Sequence, residues 1–315
     1  MRLAARALLP SLLLAALACA APPPPEVASG SGVSTAPIRD RFARARVAMV
    51  AAVNADRARH GLSPVVLDSL ATAVAQAHAL EMAAEGWLSH YNAAGLAPYE
   101  RYAAAGGTGH VLENVFRSQR RSRAEGSTDD PWERFDIRTA QGWLMASEGH
   151  RKAILDPHRA RIGVGIASDP VRGAVYVVQE LVTDAADIDP PRRVVPGQEV
   201  FVTGSLRTSG ARPLMLVLSR EPVTRPWVTA GEGPPRGSYA DGGEEAVIIP
   251  PWAIRWNPDD RSFSLGLQMA RRATAARLYG ILYVASDATV RDALSRLRAD
   301  TGAGWPAAAF VVEVL

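Results

Sequence analysis

Residues 143–165 read WLMASEGHRKAILDPHRARIGVG, and residues 174–181 read AVYVVQEL. The first stretch opens as the end of a helix. The pattern predicts that helix from Pro131 to about residue 145, with Asp130 as N-cap and proline at the first helical position. The chain then passes a Ser147-Glu148-Gly149-His150 loop and a turn at Pro157. Residues 161–167 and 174–181, rich in β-branched residues, read as two strands. Helices that must bury an apolar stripe against a short sheet define an α+β or three-layer arrangement.

The same logic extends upstream. Over residues 40–60, Phe42, Val47, Val50 and Val53 fall on one helical face, Gly61 is a C′ residue and Pro64 blocks continuation. Ser69 to Glu85 predicts a second helix, with Leu70, Val74, Ala77 and Glu81 in register. Asp68 or Ser69 caps it, and Gly86 ends it. A short helix over residues 98–105 carries Tyr99 and Tyr102.

Downstream, Pro190, Pro191 and Pro196 change the texture, which places a domain boundary near residue 190 and separates residues 38–188 from a β-rich region at 189–315. Strands are predicted at 199–204, 213–219, 245–249, 262–269, 276–285 and 309–315. Phe263, Leu265 and Leu267 alternate as in a half-buried strand. One helix at 288–299 presents Val290, Ala293, Leu294 and Leu297. These signals describe a smaller sandwich or barrel with one helix. Trp227, Trp252, Trp256 and Trp305 could form a carbohydrate-stacking face there, or fill its core and edges.

The N-terminus reads as an address. Residues 1–18 carry Arg2 and Arg6 ahead of a short apolar run from Leu8 to Leu17, as in a secretory signal. That run is too short for a spanning helix, and no later segment is long and apolar enough for one. Cys19 follows in Ala15-Ala16-Leu17-Ala18-Cys19, which resembles a bacterial lipobox with Ala16 where leucine is commonest. Ordinary cleavage at Ala16-Leu17-Ala18 or Ala18-Cys19-Ala20 is the alternative. Residues 19–37, with four consecutive prolines and then Gly and Ser, read as a tether. The implied location is the cell envelope, through a lipid anchor in a membrane, or else a periplasmic or secreted state.

Composition closes off other classes. The chain has 315 residues, 48% hydrophobic and 21% charged, which suits globular domains. A single cysteine leaves no disulfide and no thiolate cluster. Lys+Arg of 35 against Asp+Glu of 32 gives a net charge of +3. Arg117, Arg120, Arg121 and Arg123 form the one basic cluster, and Asp129 and Asp130 follow it. It reads as a solvated loop, so no nucleic-acid partner is implied.

Among six histidines, His60, His78 and His158 read as structural or surface groups. His90, after a glycine-terminated helix, and His150, after another helix end, are set differently. Glu113 lies between them in an apolar Leu112-Glu113-Asn114-Val115 run, where burying a carboxylate needs a reason. Two neutral imidazoles with one or two carboxylates can hold a divalent metal. No HExxH pattern and no Ser-His-Asp order accompany them. Trp87, Tyr91 and Trp143 flank these motifs and read as core more than as a ligand platform.

Six motifs in order carry a resemblance. They are Val53-Asn54-x-x-Arg57 with Gly61-Leu62-x-Pro64 and Asp68, then Ala77-x-Ala79-x-x-Met82-Ala83, Ser89-His90 and Glu113-Asn114. Trp143 through Gly149-His150-Arg151 to Asp156-Pro157 follows, and Arg161-Ile-Gly-Val-Gly165 with Tyr176-Val-Val-Gln179 closes the series. Residues 42–184 thereby resemble a CAP domain, the superfamily of cysteine-rich secretory, antigen 5 and pathogenesis-related proteins. The resemblance implies an α-β-α sandwich with a cleft in which two histidines and two acids meet, and in which some members bind zinc or another divalent ion. On that basis the cleft tetrad is His90, Glu113, Glu148 and His150, with His90 and His150 as metal ligands. Glu113 and Glu148 are the candidate catalytic acids, and Asn114 braces Glu113 from behind. Glu148 either lines the cleft or caps its turn. The implied function is an exported protein whose cleft binds an apolar, lipid- or sterol-like, or extended cell-wall ligand. A metal-assisted or acid/base hydrolase of peptides or esters using the same residues is the alternative.

Overall fold

A computed structural model describes residues 40–119, 129–237, 239, 246–271, 274–296 and 301–315. The signal, the tether and Cys19 lie outside the described residues, as do Arg120, Arg121 and Arg123. Arg117 lies on a strand, donating to the Gly86 carbonyl at 3.2 Å with its guanidinium 5.3 Å from the centre of the Tyr176 ring.

The first half runs α1 (Ala43–Arg59), β1 (Val66–Leu67), α2 (Ser69–Glu85), α3 (Pro98–Ala104) and β2 (His110–Gln119). It continues through a 3-10 turn at Pro131–Arg134, α4 (Ile137–Ala146), α5 (Glu148–Ile154), β3 (Arg161–Asp169) and β4 (Ala174–Thr183). Helix α2 begins and ends where the sequence placed it. The Asp68 carboxylate accepts from the Ala71 amide at 2.7 Å, and Gly86 takes the left-handed conformation at φ 80°. The helix predicted from Pro131 is instead two pieces. Asp130 caps only the 3-10 turn, the chain extends at Phe135, and Asp136 caps α4 through the Arg138 amide. His150 lies within α5 rather than after a helix end.

The four strands are ordered β1-β3-β4-β2. The period-2 alternation of β3 sorts its side chains into two layers. Ile162, Val164 and Ile166 meet Met49 and Val53 of α1 and Ile137 and Leu144 of α4. Ala167, with Tyr176 and Val178 of β4, meets Ala75, Ala79 and Met82 of α2. The α-β-α sandwich therefore has its sheet in the middle, and β4 is buried along its whole length.

On the α2 side the layers touch backbone to backbone. A Cβ at Gly163 would stand 2.1 Å from the Ala71 carbonyl carbon, and one at Gly165 would stand 2.1 Å from the Ala75 carbonyl oxygen. The Gly163-Val164-Gly165 pattern is thus the sheet's answer to an alanine-lined helix.

Arg57 fixes the opposite corner. Its buried guanidinium donates to the carbonyls of Ser63, Ile154, Asp156 and Arg159 at 2.7–3.1 Å, which pins the chain after α5 against α1. Asn54 brackets Val65 with two hydrogen bonds of 2.8 and 2.9 Å.

The second half runs β5 (Ala186–Asp189), β6 (Arg193–Val194), β7 (Glu199–Leu206), β8 (Ala211–Glu221), α6 (Pro226–Thr229), β9 (Ala246–Ile249), β10 (Arg255–Asn257) and β11 (Ser262–Gln268). It ends with β12 (Ala276–Ser286), α7 (Asp287–Arg296) and β13 (Trp305–Val314). Sheet β10-β11-β7-β5 packs on sheet β6-β13-β12-β8-β9 as a sandwich. The four tryptophans do not share a face. Trp256 and Trp305 pack on the sandwich core, Trp227 meets Tyr91 edge-on at 5.1 Å, and Trp252 is exposed. Trp143 on α4 also faces solvent.

The architecture changes near residue 185, yet the packing is continuous through residues 41–315. Ala71, Tyr99, Tyr102 and Val182 share one core cluster with Tyr279, Ile281 and Ala309. Tyr99 stacks on Tyr279 at 3.9 Å, and His158 stacks on Trp305 at 4.2 Å. Buried Arg225 joins Glu100 and Glu221, each at 3.1 Å. Among the described residues no helix is long and apolar enough to cross a membrane.

Gly165→Ala is expected to destabilise the protein by about 3 kcal/mol or more, because the colliding atoms are backbone and cannot rotate away. Thermal melts check this; a melting temperature within a degree of wild type would show that α2 can retreat from the sheet.

Candidate ligand and metal cleft

A cleft of about 610 Å³ is lined by His90, Glu113 and Asn114, by Gly149 and His150 of α5, and by Tyr239. Its floor is β2. Alternation along that strand turns Glu113 toward the α2 layer and Asn114 toward the α1/α4 layer. Both are buried.

Glu113 has no side-chain exposure, so its charge must be neutralised from within. Arg101 of α3 donates Nη2 to Glu113 Oε2 and Nη1 to the carbonyls of His90 and Leu96, at 2.6 and 2.9 Å. His90 Nδ1 lies 2.8 Å from Glu113 Oε1. An ionised carboxylate only accepts, so Nδ1 carries a hydrogen, and in the neutral imidazole the lone pair then falls on Nε2. His78 stands behind, donating Nε2–H to the Ser89 carbonyl at 2.8 Å and lying 4.0 Å from Glu113 Oε1. Burial alone would raise the Glu113 pKa; Arg101, His78 and His90 reverse that and hold it at about 2.

The acid buried beside Glu113 is Glu180, not Glu148. Glu180 lies on β4 directly opposite Glu113. Two like charges across an antiparallel pair repel. Burial, and then the Glu113 charge, push the Glu180 pKa well above the carboxylate range; Arg101, 3.6 Å away, only partly offsets them. The two carboxyls titrate as a pair, with Glu180 the member that holds a proton more tightly. Glu148 instead sits on the solvent side of α5 with the Lys152 ammonium 2.9 Å away. At about 100° per residue, a helix that points His150 inward must point Glu148 outward.

On the other face of β2 an amide chain leads away from the cleft. Asn114 Nδ2 donates to the His150 carbonyl at 3.3 Å and to Gln179 at 3.1 Å. Gln179 donates to Gln141 at 2.8 Å, and Gln141 donates to Asp56 at 2.7 Å. Asn114 thus holds the backbone of α5 against the sheet. Burial, and then the neighbouring His90, lower the His150 pKa, so this imidazole is neutral near pH 7.

The β-rich half completes the cleft. The Tyr239 hydroxyl accepts from the Glu113 amide at 3.1 Å, and its ring lies 4.9 Å from that of His90. Ser89 Oγ donates to the Pro235 carbonyl at 2.6 Å, which removes it as a nucleophile partnered by histidine.

Three site residues escaped the sequence reading. Glu180 had a signal, being an acid inside a strand of mostly apolar residues. Arg101 looked like any helical arginine, and nothing in the sequence ties Tyr239 to a strand 126 residues earlier.

The donor set is narrow. Among the described residues no group of three or more His, Cys, Asp or Glu is placed to hold a metal ion. Both Glu113 oxygens are engaged, which leaves the imidazoles of His90 and His150. Two imidazoles fall short of a full protein ligand set, so an ion there would have to take its remaining ligands from water or from a bound molecule.

The Glu180 proton has a stability signature. The unfolded chain ionises this carboxyl above about pH 4.3, while the fold keeps it neutral, so its contribution falls as pH rises through that value. Glu180→Gln is expected to melt at the wild-type temperature near pH 4 and a few degrees higher at pH 7–8, about 2–4 °C for each kcal/mol recovered. A difference independent of pH would mean that Glu180 is ionised in the fold.

Comparison with known proteins agrees with the architecture. Residues 50–181 match the model of the cysteine-rich secretory protein family, CAP. Among solved structures, an outer surface protein from Borrelia burgdorferi is similar at 12% identity and a TM-score of 0.37, covering 45% of this chain and 94% of that one. An extracellular protein containing a SCP domain from Bacillus anthracis str. Ames is similar at 22% identity and a TM-score of 0.35, covering 44% of this chain and 40% of that one. No curated protein matches the chain. Residues 50–181 are therefore a CAP domain, joined to a β-rich second region that shares its core.

Proposed function

We propose that this is an exported cell-envelope protein whose CAP cleft is a binding site for an extended or apolar ligand, with His90 and His150 able to hold a divalent cation such as zinc. The observation that carries this reading is the state of Glu113. Its pKa of about 2 and its two engaged oxygens make it a poor proton acceptor near neutrality. It works instead as a brace that fixes the His90 tautomer, in the way outer carboxylates orient metal-binding histidines. What the cleft offers a ligand is two imidazoles, the Tyr239 ring and the apolar Leu112 and Ala153, beside Ser147, Lys152 and Asp156. A bound cation would supply a Lewis-acidic anchor for a polar group of the ligand.

Zinc titration calorimetry at pH 7.5 and 5.5 tests the reading. Binding is expected at pH 7.5, and about tenfold or more weaker at pH 5.5, because protons compete for imidazoles that must be neutral to ligate. It should vanish in a His90→Ala, His150→Ala double variant and weaken about 10–100-fold in Glu113→Gln. A folded wild type that ignores zinc would remove the cation from the proposal. Turnover of a peptide or ester library, lost in Glu113→Gln, would replace the binding reading with a hydrolase.

Export and anchoring rest on the N-terminal residues, with Cys19 as the lipidation site. Mass spectrometry of the exported protein should find an acylated Cys19 at the mature N-terminus; an unlipidated chain beginning at Ala21 would reject the anchor.

A further inference from the structure

The sandwich of the β-rich half is not closed at both ends. Its two sheets meet around Phe263, Leu265, Leu282 and Phe310, all buried. Toward Gln268 and Ala276 they part around a cavity of about 570 Å³. Leu218, Ile249, Leu278 and Val314 line it from one sheet, and Leu267 with Met269 from the other. These are inner-face positions, which in a closed sandwich would meet one another. Val247, opposite Leu218 on edge strand β9, lines the same space and stays 60% exposed. Among the described residues, Leu267 and Val314 are buried at the back of this space, Leu218, Ile249, Leu278 and Met269 are half-buried, and Val247 is exposed at its mouth.

Among the described residues the polar groups at this cavity are few and of one sign. Along β8, Leu216, Leu218 and Arg220 share a face, grading from buried through half-buried to exposed. Arg220 stands opposite Leu278 and donates to the Thr274 hydroxyl. No carboxylate among the described residues pairs with it, whereas Arg212, Arg225 and Arg277 of the same sheet region each meet an acid. Gln268 and Thr274 complete the polar lining. An apolar pocket of this size with one convergent charge is the usual form of a small-molecule site. Packed sheets stand about 10 Å apart, which admits a hydrocarbon chain but not a helix about 10–12 Å across.

We propose that this cavity binds a single-chain fatty carboxylate, its hydrocarbon between the sheets and its head group on Arg220. Each methylene withdrawn from water adds to the affinity, and a charge-assisted hydrogen bond from the guanidinium selects the anionic head. The site is separate from the CAP cleft and does not depend on the function proposed for it.

The test uses the full-length mature protein and dodecanoate, with dodecanol as the uncharged control, followed by calorimetry or by displacement of a fluorescent fatty acid. Saturable binding of one dodecanoate is expected. Val247→Trp, at an exposed position where folding is not at risk, should fill the mouth and abolish it. Arg220→Gln should weaken dodecanoate about tenfold and leave dodecanol unchanged. The His90→Ala, His150→Ala double variant should bind as wild type. The absence of saturable binding to folded wild type would overturn the proposal, as would binding that survives Val247→Trp but is lost in the double-histidine variant. Equal weakening of both probes by Arg220→Gln would overturn the assignment of the head group.

Discussion

A carboxylate sealed from water governs the centre of this protein. Glu113 sits in the middle of a buried strand, and an isolated charge there would cost several kcal/mol. Each neighbouring element contributes to its neutralisation. Helix α3 brings Arg101, the α2–α3 loop brings His90, and α2 brings His78. Strand β4 adds Glu180, which holds its proton more tightly beside the charge of Glu113. The β-rich half supplies Tyr239 to the amide of the same residue. The arrangement ties five segments to one point, so the geometry of the cleft follows from solving an electrostatic problem.

The same segments explain why the two halves do not stand apart. Arg101 can reach Glu113 only if α3 lies against the sheet. Helix α3 is fixed there by partners from the other half, Tyr279 stacked on Tyr99 and Arg225 and Arg277 on Glu100. A buried ion cluster of this kind is poor evidence of net stability, but it is exacting about position. The β-rich half therefore acts as part of the cleft's wall and as the clamp on the helix that supplies its counter-charge. Its own sandwich opens around a second cavity, lined by apolar side chains and by Arg220, which has no acidic partner among the described residues.

Local rules made much of this fold readable. Asp68 and Gly86 bound α2 because an N-cap acceptor and a left-handed glycine are determined by neighbouring residues. The alternation of Phe263, Leu265 and Leu267 placed β11 for the same reason. His90, Glu113 and His150 were legible through their motifs, and all three line one cleft. Of the two places the sequence left open for Glu148, the cleft is excluded because two residues apart on a short helix means opposite faces, a fact that applies only once α5 is known to be helical. The break at Phe135 was hidden because Asp130 and Asp136 are both competent caps and only packing decides which one starts the helix.

The sequence by itself determined the bounds of α2, the alternation of β11, and the identity of the two cleft imidazoles. Each of these depends on interactions within a few residues or on a motif read along the chain. Only the tertiary structure decided that Arg101 neutralises Glu113, that Glu180 is the second acid, and that Tyr239 closes the wall. Those relations join residues 12, 67 and 126 positions apart, and the propensities of the individual residues carry no information about which partners a buried charge will find.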